Sequence, residues 1–181
     1  MLTYRVFPHV AGVRATQPGH ARYLPEQGAG RFDNPASYRA RYLALDPTTA
    51  VIERFAGLAW WSAAMFRVPG LAGAMYRLGV LEVDEGIDVV DLDDPRRLVD
   101  LGSRPTEVMS ADRSVTQELA RRIHERGADG VRWWSTWPEH RPLLALWSTD
   151  VRVVRVLDLG LDHDAVIAAA GILAKPVRMV G

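Results

Sequence analysis

The chain has 181 residues, of which 48% are apolar and 24% charged, and its 22 basic and 22 acidic side chains give a formal net charge of +0. That length fits one domain spanning 1–181, the composition excludes global disorder, and the charge balance lends no support to a polyanion-coating role. With no cysteine in the chain, a disulfide framework, a cysteine zinc site and a cysteine nucleophile are all excluded.

The opening residues MLTYRVFPHV carry an arginine and a proline and lack the apolar core of a targeting segment. No run reaches 18 uninterrupted apolar residues, so no membrane span is expected and the expected location is the cytoplasm. Of the 22 basic residues, 21 are Arg and only Lys175 is Lys. A GC-rich genome accounts for that bias, and guanidinium forks for anions are the functional reading beside it. Residues 1–81 hold nine Arg and four acids, a net of +5, whereas residues 82–100 hold eight acids and two Arg, a net of −6. The basic part suits an anionic small molecule. The acidic stretch reads as a solvated face, with a docking surface for an arginine-rich partner as the alternative.

In chain order, TYRVF at 3–7 is a short strand. Residues 8–37 are a long loop carrying PGH, PEQGAG and DNP, and a loop of that length in a compact domain is often functional. YRARYLAL at 38–45 is the next strand, closed by Asp46 and Pro47. Thr48 or Thr49 caps a helix predicted over 50–66, apolar on both faces, with Glu53 as its one acid. YRLGVLEV and IDVVDL between 76 and 92 are strands joined by a turn at Asp84, Glu85 and Gly86. Residues 93–113 read mostly as loop. Ser114 and Gln117 form a capping-box pattern opening a helix to about Arg126, which buries Val115, Leu119 and Ile123 and stops at Gly127. VRWW at 131–134 is a strand and 135–142 a loop. LLALW at 143–147 and VRVVRVLDL at 151–159 are strands, and a last helix covers about 163–173. Strands and helices without strict alternation predict an α+β fold.

Several motifs are missing: a Gly-rich dinucleotide fingerprint, a phosphate loop, His-Glu-x-x-His and a nucleophile elbow. His9, His20, His124, His140 and His163 show no metal-ligand spacing, so no metal site is expected. Arg5 shares a strand face with Thr3 and Phe7, and either grips an anion or points to water from an edge strand. Arg31 follows Gly28 and Gly30, and either grips a diphosphate or belongs to a plain turn in which Asp33 or Asn34 caps its own backbone. Glu53 lies near a helix start among the small residues Thr49, Ala50, Ala56 and Gly57, so a ligand can come near it; Arg41 and Arg54 are its alternative structural partners. Tyr38 and Tyr42 share a face, and Tyr42 either stacks on a flat ligand ring or packs in the core. Trp133, Trp134 and Trp137 suit a core seam, which requires neither Ser135 nor Thr136; Ser135 leaves a strand end where a polar side chain can face a cleft.

Taken in order, these pieces resemble the RES domain family, named for its arginine, glutamate and serine. They are Tyr4-Arg5, Gly30-Arg31-Phe32-Asp33-Asn34-Pro35, Tyr42-Leu43-Ala44, Thr49-Ala50 with Glu53, Asp112, Thr116-Gln117, Leu119-Ala120, and Gly130-Val131 leading to Trp134-Ser135. The likeness spans residues 3–147. Much of that family has Trp-Asn after the arginine, where this chain has Phe32-Asp33-Asn34. The resemblance implies a mixed-sheet core like that of ADP-ribosyltransferases with flanking helices. It implies a toxin that cleaves the nicotinamide–ribose bond of NAD⁺ by hydrolysis or phosphorolysis. ADP-ribosyl transfer to a protein and an inactive NAD⁺-binding module are the alternatives. NAD⁺ is then a substrate and no true cofactor is implied, with inorganic phosphate a co-substrate in the phosphorolytic case. Its catalytic set is Glu53, Arg31, Ser135 and Tyr42, and its binding set Arg5, Tyr4, Arg31, Asn34 and Tyr42. The implied partner is an Xre-type helix-turn-helix antitoxin, with a homodimer inside that complex among the allowed assemblies and no direct contact to nucleic acid.

Overall fold

Alternating side chains make β1 (Leu2–His9) two-faced: Thr3 and Phe7 are buried on one side, while Tyr4 and Val6 pack on the other. The computed structural model describes residues 1–147 and 150–178. After the long loop come β2 (Ala40–Ala44) and α1 (Pro47–Phe55), then β3 (Met75–Glu82) and β4 (Val89–Asp91). Two short helices, α2 (Pro95–Asp100) and α3 (Pro105–Val108), precede α4 (Arg113–Glu125). The chain continues through β5 (Gly130–Trp134), β6 (Pro142–Trp147), β7 (Arg152–Asp158) and α5 (Asp164–Ile172).

The strands form one seven-stranded sheet in the order β4-β5-β6-β2-β1-β3-β7, antiparallel except for the parallel β4–β5 pair. The helices gather on one face. Val51 and Ile52 of α1, Leu119 and Ile123 of α4 and Val166 of α5 share a core with Ala40, Ala44, Val131 and Trp133 of the strands. The other face holds a smaller core of Phe7, Leu43, Leu81, Leu144 and Leu146, with Ala21 of the long loop laid over it. The fold is therefore α+β, as the element pattern predicts. No helix among the described residues is long and apolar enough to cross a membrane.

One seam interrupts the sheet. β1 pairs with β3 along its whole length, from Leu2↔Glu82 to His9↔Met75, but meets β2 only at Tyr4↔Ala44. Beyond that point the two central strands part. Segment 21–23 of the long loop is tied to both strands there: Arg5 on β1 donates to the carbonyls of Ala21 (3.4 Å) and Tyr23 (3.0 Å), and Arg41 on β2 donates to that of Arg22 (3.2 Å).

Five sequence expectations need correction. The helix predicted over 50–66 ends at Phe55, and only one 3₁₀ turn, Ala63–Phe66, follows. The buried Trp61 donates its indole N–H to the Phe55 carbonyl at 3.1 Å, taking a helix-end acceptor, and Leu58 and Trp60 are left exposed. The cap of α1 is Asp46, which accepts from the Thr49 amide at 2.8 Å, rather than Thr48 or Thr49. Likewise α4 is capped by Asp112 on the Ser114 amide. Gln117 leaves the capping role and donates instead to the Gly28 and Gly30 carbonyls, each at 2.9 Å. Val115 is exposed and Thr116 takes the buried place, its hydroxyl donating to the Arg31 carbonyl. Last, 93–113 contains α2 and α3, each started by a proline in the first turn, where a missing N–H costs nothing. Gly127, with a φ of 91°, ends α4 where the sequence places the stop.

Candidate active site

Where β1 and β2 part, a cleft of about 260 Å³ opens toward α1. Its walls are Tyr4, Arg5 and Val6 of β1, Tyr42 to Ala44 of β2, Ala50, Glu53 and Arg54 of α1, with Trp133 and Leu143 behind. Apolar walls with a few converging polar groups are the usual form of a small-molecule site.

Glu53 is held from a distant part of the chain. The Ser135 hydroxyl donates to its Oε1, and the same oxygen of Ser135 accepts the Trp137 amide at 3.1 Å. Ser135 is buried just past the end of β5, and its own amide donates to the Arg141 carbonyl at 2.8 Å. Glu53 stays accessible from the cleft, yet the surrounding protein pushes its carboxyl pKa upward by desolvation; the Ser135 hydrogen bond and the charge of Arg31 oppose that rise. Neither structural partner considered from sequence claims it. Arg41 lies on the opposite side of β2, and Arg54 sits 4.1 Å over the Tyr76 ring and donates to the Tyr76 hydroxyl.

Arg31 is anchored and charged. Its Nη1 donates to the carbonyls of Val108 (2.8 Å) and Ser110 (2.9 Å). Partial burial and nearby Arg113 lower its pKa, while Tyr42 and Glu53 raise it, so Arg31 and Glu53 feel each other. Asp33 organises the turn that carries it. One carboxylate oxygen accepts the Gly28 and Gly30 amides, both at 2.8 Å, and the other accepts the Tyr42 hydroxyl at 2.8 Å. The Tyr42 oxygen in turn accepts the Phe32 amide at 2.9 Å. Burial, with Asp33 adding to it, raises the Tyr42 pKa strongly and keeps the phenol neutral. Gly30 is required by contact: a Cβ there would stand 2.5 Å from both Asp33 Oδ1 and the Tyr42 oxygen.

The structure thus brings together Glu53, Ser135, Arg31 and Tyr42, with Tyr4 and Arg5 in the cleft wall. Arg5 carries a pKa lowered to about 10 by burial, and its Nη1 is committed to the loop carbonyls. Asn34 is not part of the wall: its amide donates to the Tyr38 hydroxyl (2.8 Å) and the Gln117 carbonyl (2.9 Å), fastening the turn to α4. Sequence reasoning missed the tie from Asp33 to Tyr42 and the support that Trp133 gives. Trp133 packs edge-on against Phe32 (4.9 Å) and Tyr42 (6.0 Å). Alternation along β5 was the available signal, since Val131 and Trp133 share the helix-covered face. Among the described residues no three His, Asp or Glu side chains are grouped as metal ligands would be.

No curated protein matches the chain. Solved structures similar to it include the M. tuberculosis MbcT–MbcA toxin–antitoxin complex, at 19% identity and a TM-score of 0.60, covering 96% of this chain and 89% of the matched one. Identity at that level speaks for the fold alone. The model of the RES domain matches residues 3–165, nearly the whole chain. The chain belongs to the RES domain family.

Proposed function

We propose that the protein is the toxin of a toxin–antitoxin pair and that it cleaves the nicotinamide–ribose bond of NAD⁺. Family membership and the toxin named in the similar complex support the first part. The observation that carries the second is the Glu53 carboxylate, held by Ser135 in a cleft within the field of Arg31.

In this reading the C–N bond between the ribose and the nicotinamide ring breaks, and its electron pair neutralises the pyridinium as nicotinamide leaves. Positive charge develops on the ribose carbon. A fixed carboxylate stabilises that charge more than it stabilises the uncharged ground-state carbon. Oxygen from water or inorganic phosphate then bonds to that carbon, and the proton lost from water passes to Glu53 or to solvent. A neutral leaving group asks for no strong acid, which suits a cleft wall without histidine. Arg31 takes the pyrophosphate, while the Arg5 side chain, held by the loop carbonyls on the face of Phe7, shapes the seam rather than gripping the ligand. Tyr42 and Tyr4 flank the nicotinamide end, and Ser135 keeps Glu53 aimed. A helix-turn-helix antitoxin of the Xre type is the partner proposed to restrain this activity.

The test is incubation of the pure protein with NAD⁺, with and without phosphate, followed by mass identification of products. Free nicotinamide with ADP-ribose, or with its phosphorylated form when phosphate is present, is the expected result. Intact NAD⁺ under both conditions would overturn the assignment.

A further inference from the structure

Arg41 is a buried charge that the cleft chemistry does not use. On β2 it alternates with Tyr42 and so shares the face of Leu43, away from Glu53. Only 6% of its surface is exposed. A guanidinium has five N–H donors and is not deprotonated in proteins. Here Nη1 and Nη2 share one acceptor, the Arg22 carbonyl at 3.2 Å, and Nε is buried without a partner. Among the described residues no carboxylate forms an ion pair with it. Its charged neighbours are Arg5, Arg22 and Arg39 against a single acid, Asp150, which pairs with Arg22. Burial first, and then these cations, bring its pKa down to about 10.

A cavity of about 390 Å³ adjoins this group, lined by Arg41, Arg39, Ser37, Tyr38, Leu24 and Leu146. A buried charge of this kind calls for a counter-charge with its own hydrogen-bond acceptors. Neutral loop carbonyls supply acceptors but no charge. Two arginines line the cavity, Arg39 and Arg41, which favours a dianion over a monoanion, and guanidinium forks match its oxygens.

We propose that the cavity of Arg39 and Arg41, on the far side of β2 from Glu53, binds a phosphate-class dianion. The ligand is either free inorganic phosphate or the phosphomonoester of a nucleotide. The site goes beyond the NAD⁺ reading and does not depend on it.

Calorimetric titration and thermal unfolding with inorganic phosphate and with AMP, at matched ionic strength, test the site. Wild type, Arg41→Met and Arg31→Met are compared. Wild type should show saturable binding and a raised Tm, and Arg31→Met should keep both. Arg41→Met should lose about tenfold or more in affinity, the size of one charge-assisted contact. Without anion, Arg41→Met should melt above wild type, because an uncompensated buried charge has gone. Should Arg41→Met fail to fold, the exposed Arg39→Gln should weaken binding in its place. Saturation by phosphate points to the free ion, and saturation by AMP alone to a nucleotide; either supports the site. No saturable response to either anion, or a response kept in Arg41→Met and lost in Arg31→Met, would overturn it.

Discussion

The Ser135 hydroxyl donates to the Glu53 carboxylate across 82 residues of chain. The bond ties the strand end after β5 to the first helix and sets where the negative charge sits in the cleft. Glu53→Gln keeps the shape and removes the charge. Turnover of NAD⁺ should fall on the order of 100-fold or more, the usual cost of losing a preorganised electrostatic group. Affinity for NAD⁺ should hardly change, since the ground-state ribose carbon is uncharged. Single-turnover cleavage and a binding isotherm on one preparation check both, and near wild-type cleavage would remove Glu53 from the mechanism.

The raised pKa of Glu53 has consequences for both rate and stability. Cleavage needs the ionised form, so the acid limb of the pH–rate profile should lie above the ordinary carboxylate range. For stability the sign runs the other way. A carboxyl whose folded pKa is raised contributes stability that is full below its unfolded value of 4.5 and is lost as pH rises through the folded one. Glu53→Gln should therefore melt at or above wild type at neutral pH, and the gain should vanish on acidification. A lower Tm at neutral pH would mean that Glu53 serves the fold.

Removing the partner hydroxyl gives a separate forecast. Ser135→Ala deletes the hydrogen bond that opposes the rise in the Glu53 pKa, and it leaves the Trp137 amide without its acceptor. The acid limb should move further upward, and activity at neutral pH should drop more than it does at alkaline pH. An unshifted limb would show that Ser135 does not act through Glu53.

Gly30 is a steric requirement of the arginine turn. Gly30→Ala puts a methyl 2.5 Å from both Asp33 Oδ1 and the Tyr42 oxygen. The tie between these two has to open, releasing a buried carboxylate contact worth ~1–3 kcal/mol. The expected outcome is a lower Tm together with weaker NAD⁺ affinity, because Arg31 follows directly. Tyr42→Phe tests the same tie from the other side: it strands the Phe32 amide and one Asp33 oxygen, and should destabilise by a similar amount. Equal Tm in both variants and wild type would show the tie to be dispensable.

Alternation over 38–45 and short apolar runs at 131–134 and 143–147 made these strands legible, and β2, β5 and β6 fall within a residue or two of them. The first helix was overextended because 50–66 is apolar on both faces apart from Glu53, Arg54 and Ser62, and no local pattern says that Trp61 turns back to take the Phe55 carbonyl. Glu53 and Ser135 were legible one at a time, by type and by likeness to a family. Their meeting was not, since it depends on how β5 and α1 pack. Periodicity put Arg5 on the face of Phe7 but could not say that loop carbonyls would meet it. The role of Asp33 read as a local turn, and half of it is: the amides of Gly28 and Gly30 reach it from within the turn, whereas Tyr42 arrives from the next strand.

The single Tyr4↔Ala44 pairing gives a seven-stranded sheet two edges in its middle. Amides on the facing sides of β1 and β2 beyond that point lack a ladder partner, and one of them, the Ala40 N–H, is satisfied by the Gln27 side chain at 2.8 Å instead. Backbone hydrogen exchange should then be faster at these central positions than in β3 or β6, inverting the usual order in which the interior of a sheet exchanges last. Because the chain passes from one half-sheet to the other between β1 and β2, β2 and β3, β3 and β4, and β6 and β7, the halves cannot come apart as separate bodies. They can only breathe about the one bridge, and a molecule that spans the gap and touches both lips would slow that breathing like a staple across a hinge.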